Sequence, residues 1–347
     1  MKKIVLTVLA LCLTVSFVFA KGAGAKDNAA SPASAGGDYV LKIGYPVEGG
    51  LCEAPFYIAI AKGFYEAEGL KYEWVNLEPG TAMNLLTTGQ IDVTNNLLAT
   101  LIQPIANGLD VKIPLALHTG CVKTLVRPDS PIKTPADFAP VNGVKKKIGV
   151  PSLNSSTKVI PSRVLAAEGL KVDGDDADIE WIIYPSAELP LALERGLVDA
   201  IGSGDPTATI IENEGKARVV INNATGHGLE NEFCCVTPFR SATIANHPEA
   251  AAKFLRAIQK AAKWVQENPD ETTKILAEKK YIAGDPEVNA QVLKTYNYKA
   301  SVSQARTAIE RNAHELQEIG LVKADVDVNA LVANTFYAVP GVPDSLF

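Results

Sequence analysis

No Cys-x-x-Cys pair occurs in this chain, and His118, His227, His247 and His314 are not spaced as zinc ligands. The sequence therefore predicts no metal site and no cofactor. Basic clusters are missing too: Lys plus Arg total 33 against 39 Asp plus Glu, a formal net charge of −6. Such a chain suits the phosphate backbone poorly, so nucleic acid is excluded as a partner. The 26 Gly and 21 Pro follow no period. With 47% hydrophobic and 21% charged residues, the composition is globular, neither collagen-like nor disordered. Beyond residue 20 no apolar run approaches the ~20 residues that a membrane span needs.

What the N-terminus does hold is a leader. Met1-Lys2-Lys3 precedes an apolar run from Ile4 to Phe19 and then Ala20, the pattern of a signal peptide over residues 1–20. It predicts export to a periplasmic or other extracytoplasmic location. Cys12, inside the apolar run, is a weak lipoprotein signal, so lipid anchoring is the lesser reading. Residues 21–38 (KGAGAKDNAASPASAGGD) read as a flexible linker. Past the leader stand Cys52, Cys121, Cys234 and Cys235, whose three possible pairings the sequence leaves open. On a strand, adjacent Cys234 and Cys235 should point to opposite faces.

The chain also repeats itself. Residues 67–77 (AEGLKYEWVNL) find an echo in AEGLKV at 167–172 and EWIIY at 180–184, and Trp181 stands 107 residues after Trp74. Gly89 with Asp92 and Gly196 with Asp199 keep the same offset. Both copies read β-α-β-α-β. Strands are expected at 40–45, 72–77 and 91–94, then at 147–150, 179–184 and 198–201. Helices are expected at 54–68 and 81–88, then at 158–168 and 187–195, each stopping at a glycine. Parallel sheets with right-handed crossovers follow. The expected organisation is lobe 1 over 39–127, lobe 2 over 128–238, and a return to lobe 1 with C-terminal helices over 239–347. Those helices are placed at 248–267, 270–279, 286–293 and 303–317.

In open α/β sheets, ligands bind beyond the carboxyl ends of the strands, so the two loop sets should converge on an interlobe cleft. The candidates in lobe 1 are Glu48, Cys52, Gly80, Thr81, Asn95 and Asn96. His118 and Thr119 sit near the first crossing, and Asn154, Ser155, Ser156, Glu188 and Asp205 belong to lobe 2. Ser155-Ser156 and Gly80-Thr81 open helices, where hydroxyls and free amides can cradle an anion or simply cap. These loops hold no arginine but do carry Glu48, Glu53, Glu188 and Asp205. A carboxylate desolvated by closure wants a donor, which favours a ligand with an amine or ring nitrogen. His118 and Cys121 invite a base–nucleophile reading, but no third group is evident to orient them.

Several segments carry a resemblance: Ala54-Pro55-Phe56-Tyr57-Ile58-Ala59, Lys62-Gly63-Phe64-Tyr65-Glu66, Glu68-Gly69-Leu70, Gly80 and Gly89-Gln90-Ile91-Asp92. Lys147-Ile148-Gly149-Val150-Pro151, the run 193–200 (LERGLVDA), Pro248-Glu249-Ala250-Ala251 and Trp264 to Pro269 (WVQENP) extend it. Together they resemble the solute-binding proteins of ABC importers for nitrate, taurine, aliphatic sulfonates and the pyrimidine precursor of thiamine. That resemblance implies an α/β, two-lobed, type II periplasmic-binding-protein-like clamshell, each lobe a mainly parallel sheet flanked by helices. It implies a monomer and not an enzyme, one that closes on a sulfonate- or taurine-like ligand or related anion. Its partners would be an ABC permease with its cytoplasmic ATPase. The alternatives are a binding protein for an aminopyrimidine or thiamine-precursor heterocycle, and an exported enzyme resembling thiamine-precursor synthases.

Overall fold

The computed structural model describes residues 39–46, 49–78 and 80–347. The expected leader, the linker and Glu48 lie outside the described residues. In the first half β1 (Leu41–Pro46) runs parallel to β2 (Tyr72–Leu77), with Ile43 facing Trp74. Short strands β3 (Asn96–Leu97) and β4 (Val111–Lys112) follow, then β5 (Ala116–Thr119) and β6 (Val122–Val126). In the second half β7 (Lys146–Val150) runs parallel to β8 (Ile179–Ile183), with Ile148 facing Trp181. After them come β9 (Ala200–Gly204), β10 (Arg218–Asn222), β11 (Phe233–Val236) and β12 (Phe239–Arg240).

The second sheet has the order β10-β6-β9-β7-β8. Its repeat strands β8, β7 and β9 are parallel, while β6 and β10 add antiparallel. The first sheet follows the same plan more loosely. Beside β2 and β1 come a parallel bridge from Ile43 to Val93 and an antiparallel bridge from Val93 to Phe239, and then β4 pairs with β12. The strand expected at 91–94 thus contracts to Val93, which bridges Ile43 on one side and Phe239 on the other. Residues 122–126, assigned to lobe 1 from sequence, pair with β9 in the second sheet. The chain crosses earlier, at Gly120-Cys121, whose φ values of +94° and +97° turn it out of β5.

The repeat is visible bond by bond. Asp92 N donates to Lys42 O and Lys42 N to Asp92 Oδ2, both at 2.8 Å. Asp199 N donates to Lys147 O and Lys147 N to Asp199 Oδ2, again both at 2.8 Å. Gly69 and Gly169 end the first helix of each copy in the left-handed region that glycine adopts without a Cβ penalty, at φ +64° and +83°. The single helix expected over 54–68 is broken into Ala54–Ala61 and Phe64–Ala67 by Gly63 at φ +70°. Its counterpart, Ser156–Ala167, is continuous.

Between the two sheets lies a third, antiparallel, in the order β3-β11-β5. Bridges from Ala116 to Ser301 and from Thr119 to Asn297 extend it with C-terminal chain. The amphipathic helix Pro248–Glu267 starts on proline and stops before Asn268-Pro269, and it buries Phe254 against Phe56, Tyr65 and Phe239. Each such ring contributes roughly 1.5–3 kcal/mol on leaving water. Helix Val302–Glu318 packs over β5 and β11 and ties the C-terminal segment to the middle sheet. Among the described residues no helix is long and apolar enough to cross a membrane.

The two repeat aspartates differ in load. Asp92 is buried and also accepts from Tyr39 Oη at 2.8 Å and Thr243 Oγ1 at 2.6 Å, whereas Asp199 is half-buried. Asp92→Ala strands a buried amide and two hydroxyls, so it is expected to cost about 3 kcal/mol or more, against about 1 kcal/mol for Asp199→Ala. Urea denaturation of both variants measures this; equal losses would refute the asymmetry.

Candidate interlobe binding site

The middle sheet forms the floor of the site. Leu97, Cys235 and His118 stand in one row across β3, β11 and β5. The register of β11 against β5 slips between Phe233 and Cys235, so Cys234 is an extra, bulged residue. The expectation that Cys234 and Cys235 face apart therefore fails: their Sγ atoms lie 3.8 Å apart, because the bulge breaks the alternation. Cys121, held at φ +97°, brings its Sγ to 3.4 Å from that of Cys234. The half-buried Cys52, from the turn Leu51–Glu53, lies within 4.8 Å of Cys121 and Cys235. All four thiols are free.

His118 is fully buried between Tyr296, stacked at 5.3 Å, and Tyr298, tilted at 4.8 Å. Its Nδ1 lies 3.0 Å from Thr119 O, while Nε2 has no partner. Burial opposes a charge there, but Cys52 and the Thr119 carbonyl carry its pKa above the ordinary histidine value. Tyr298 Oη donates to Leu51 O at 2.6 Å, fastening the Cys52 turn to the C-terminal segment.

Above the floor, Glu53 accepts from Gly50 N at 2.8 Å and from Asn95 Nδ2 at 3.1 Å. Burial, with Cys52 adding to it, pushes its carboxyl up to about 7 despite those two donors. Asn95 Oδ1 is buried without a partner. From the second half, Asp205 Oδ1 accepts from Thr209 Oγ1 at 2.8 Å and pairs with Lys123 at 3.3 Å. Its Oδ2 accepts from Tyr296 Oη at 3.2 Å, a hydrogen bond from one half to the other.

Of the residues singled out in the sequence, the structure brings Cys52, Asn95, His118, Thr119 and Asp205 together around this floor. Asn96 pairs with Val236 beside them, and its side chain accepts from Thr100 Oγ1. Ser155 and Ser156 open helix Ser156–Ala167, which packs on the turn Leu98–Thr100 of the first half. Ser155 Oγ donates back to Ser152 O at 2.7 Å, leaving the helix start without a side-chain cap. Thr81 Oγ1 donates to Glu78 O, and Asn154 and Glu188 are exposed. Among the described residues no hydrogen bond joins Gly80, Thr81, Asn154 or Glu188 to the floor.

Cys121, Cys234, Cys235, Tyr296 and Tyr298 were not singled out as ligand contacts. The alternating Tyr296-Asn297-Tyr298 after a helix is a strand-like signal that could have drawn attention to them. The base–nucleophile reading of His118 and Cys121 loses its geometry, since the thiol near His118 Nδ1 is Cys234, at 4.0 Å. Contact with Cys234, reinforced by burial, pushes the Cys121 thiol up to about 12, far from a reactive thiolate.

The profile of the family described as NMT1/THI5 like matches residues 53–272. The chain belongs to the NMT1/THI5-like family. A Bacillus subtilis (strain 168) protein assigned to aliphatic sulfonate binding is 26% identical over 294 residues, covering 82% of this chain and 83% of that one. The alkanesulfonate-binding protein SsuA from Xanthomonas axonopodis pv. citri, solved with MOPS, superposes with a TM-score of 0.66 at 22% identity. That match covers 86% of this chain and 97% of SsuA. The nitrate-binding protein NrtA of Synechocystis PCC 6803 gives a TM-score of 0.70 at 18% identity, covering 88% and 92%. The NMT1/THI5-like chain thus has the periplasmic-binding-protein fold, and these relatives are binding proteins.

In this NMT1/THI5-like protein an ion network adjoins the floor. Arg163 is buried and grips Glu232 with two hydrogen bonds of 2.6 and 2.8 Å, and it reaches Asn312 at 3.1 Å. Glu315 accepts from Arg163 and from Arg311. A cavity of about 690 Å³ opens beside this network, and among its charged lining groups Arg163, Lys171, Asp173, Asp176, Arg311 and Glu315 are in ion pairs. Arg163→Met strips Glu232 of two charged hydrogen bonds and leaves it Arg311 at 2.9 Å and Asn312 Nδ2 at 2.9 Å, so it is expected to cost about 1.5–3 kcal/mol at pH 7. Burial works against the Glu315 carboxylate, but the arginines hold its pKa below the ordinary value. That stabilisation is present above the unfolded-state pKa of about 4.3 and is lost as pH falls through the folded value. The deficit of the variant should therefore narrow on acidification below about pH 4.3, measured by urea unfolding; a deficit constant with pH would mean lost packing alone.

Proposed function

We propose that this protein is the extracytoplasmic solute-binding component of an ABC importer. It captures a small polar organic ligand in the interlobe cleft and delivers it to the permease, acting as a monomer. The observation that carries this reading is a pair of buried polar atoms without partners, Asn95 Oδ1 and His118 Nε2, beside the crossing strands. Buried polar groups are normally satisfied, so a ligand entering the cleft is the natural partner for them. The leader in the sequence and the binding-protein relatives support the same assignment.

The ligand class follows from what the cleft offers. Asn95 Oδ1 and the Glu53 carboxylate accept, and they suit an amine or ring nitrogen. The uncapped start of helix Ser156–Ala167 suits a sulfonate or similar anion. An aminosulfonate satisfies both ends, in keeping with the sulfonate-binding relatives.

A thermal-shift panel of taurine, other aminosulfonates, alkanesulfonates, nitrate and aminopyrimidines tests the class, followed by titration calorimetry. The matching ligand stabilises the folded state by roughly 2.7 kcal/mol at a hundredfold excess over Kd. Ser155→Ala with Ser156→Ala should weaken binding by about 5- to 150-fold with little change in folding. Unchanged affinity with a lowered Tm would make these serines structural. A response to aminopyrimidines alone would replace the aminosulfonate, and a silent panel would count against the family's ligand range.

A further inference from the structure

The sequence spacing predicts no metal site, yet the fold gathers four thiols and an imidazole from three separate stretches of chain. A tetrahedral ion with metal–sulfur bonds of about 2.3 Å sets its sulfurs about 3.8 Å apart. Cys234 Sγ stands 3.4 Å from Cys121 Sγ and 3.8 Å from Cys235 Sγ, with His118 Nδ1 at 4.0 Å. His118, Cys234 and Cys235 all fall within 4.8 Å of one another. Two backbone devices produce this convergence: the bulge that turns adjacent cysteines of β11 to one side, and the left-handed conformation of Cys121. Bulges next to functional sites commonly re-aim side chains in this way.

The donor set chooses the ion. Three buried thiols and the imidazole Nδ1 that lies 4.0 Å from Cys234 Sγ form a soft site unsuited to magnesium or calcium. We propose that the floor of the cleft is a binding site for a thiophilic d10 cation, Cu(I) or Zn(II), held by Cys121, Cys234, Cys235 and His118. Cys52, half-buried and within 4.8 Å of Cys121 and Cys235, marks the entry from the cleft. The inference stands on the thiol geometry and is independent of the ligand class proposed above.

The purified full chain, reduced and stripped with chelator under argon, is titrated with Zn(II) against a chromophoric chelator and with Cu(I) against bathocuproine. One equivalent of ion is expected, and it should protect Cys121, Cys234 and Cys235 from alkylation as read by peptide mass spectrometry. Co(II) in place of Zn(II) should give thiolate-to-cobalt charge-transfer bands and tetrahedral d–d absorption. Cys121→Ser and Cys234→Ser should weaken binding about a hundredfold or more, and Cys52→Ser by less than about tenfold. Because a core thiol variant can misfold, protection of the wild-type chain and the Co(II) spectrum of His118→Gln stand as independent readouts. Full alkylation in the presence of metal would overturn the proposal, as would recovery of a Cys121–Cys234 disulfide from metal-saturated protein in air. A silent ligand panel with metal bound would defeat the solute reading alone.

Discussion

Everything at the site depends on β5 and β11 pairing side by side. One strand carries the chain out of the first half and the other carries it back, so their hydrogen bonds hold both crossings in a single small sheet. The sheets of the two halves hang from its ends, and the C-terminal segment at 297–301 widens it. Residues far apart in sequence become neighbours there without any disulfide among the described residues. Because backbone bonds are obligatory for buried chain, these pairings fix where the floor lies.

The repeat was legible because its determinants are local. Glycines after helices, tryptophans on the second strand of each copy and an aspartate closing each unit act within a short stretch, so matching letters mean matching structure. The helices at 248–267 and 286–293 were legible for the same reason, since proline starts each of them. The thiol cluster was not. Spacing rules for metal ligands look along the chain, whereas Cys52, Cys121 and Cys234 meet only through strand order. The bulge was hidden as well, since Phe233-Cys234-Cys235-Val236 reads as an ordinary buried strand and nothing in it signals a slip of register. The crossing near His118 was legible, but the lobe boundary was set at 127 because only Gly120 of the turning pair advertises a left-handed conformation.

Similar halves do not play similar parts. The first sheet is stitched by isolated bridges and held by Tyr39, Thr243 and the C-terminal helices, while the second is a continuous five-stranded ladder. Glu53, Asn95 and His118 come from the first half and the floor, and the second half contributes the helix start and Asp205.

The bulge at Cys234 also makes the thiol set sensitive to chain length. The slip at Cys234 is offset one step later, where Leu117 of β5 is the extra residue, so Phe233 and Val236 still face Thr119 and Ala116. Deleting one residue of β11 alone would leave Leu117 unmatched and swing one sulfur to the opposite face. A gain or loss in this strand alone would therefore disturb the pairing of the two crossing strands together with the thiols, which ties the sulfur geometry to an exact strand length.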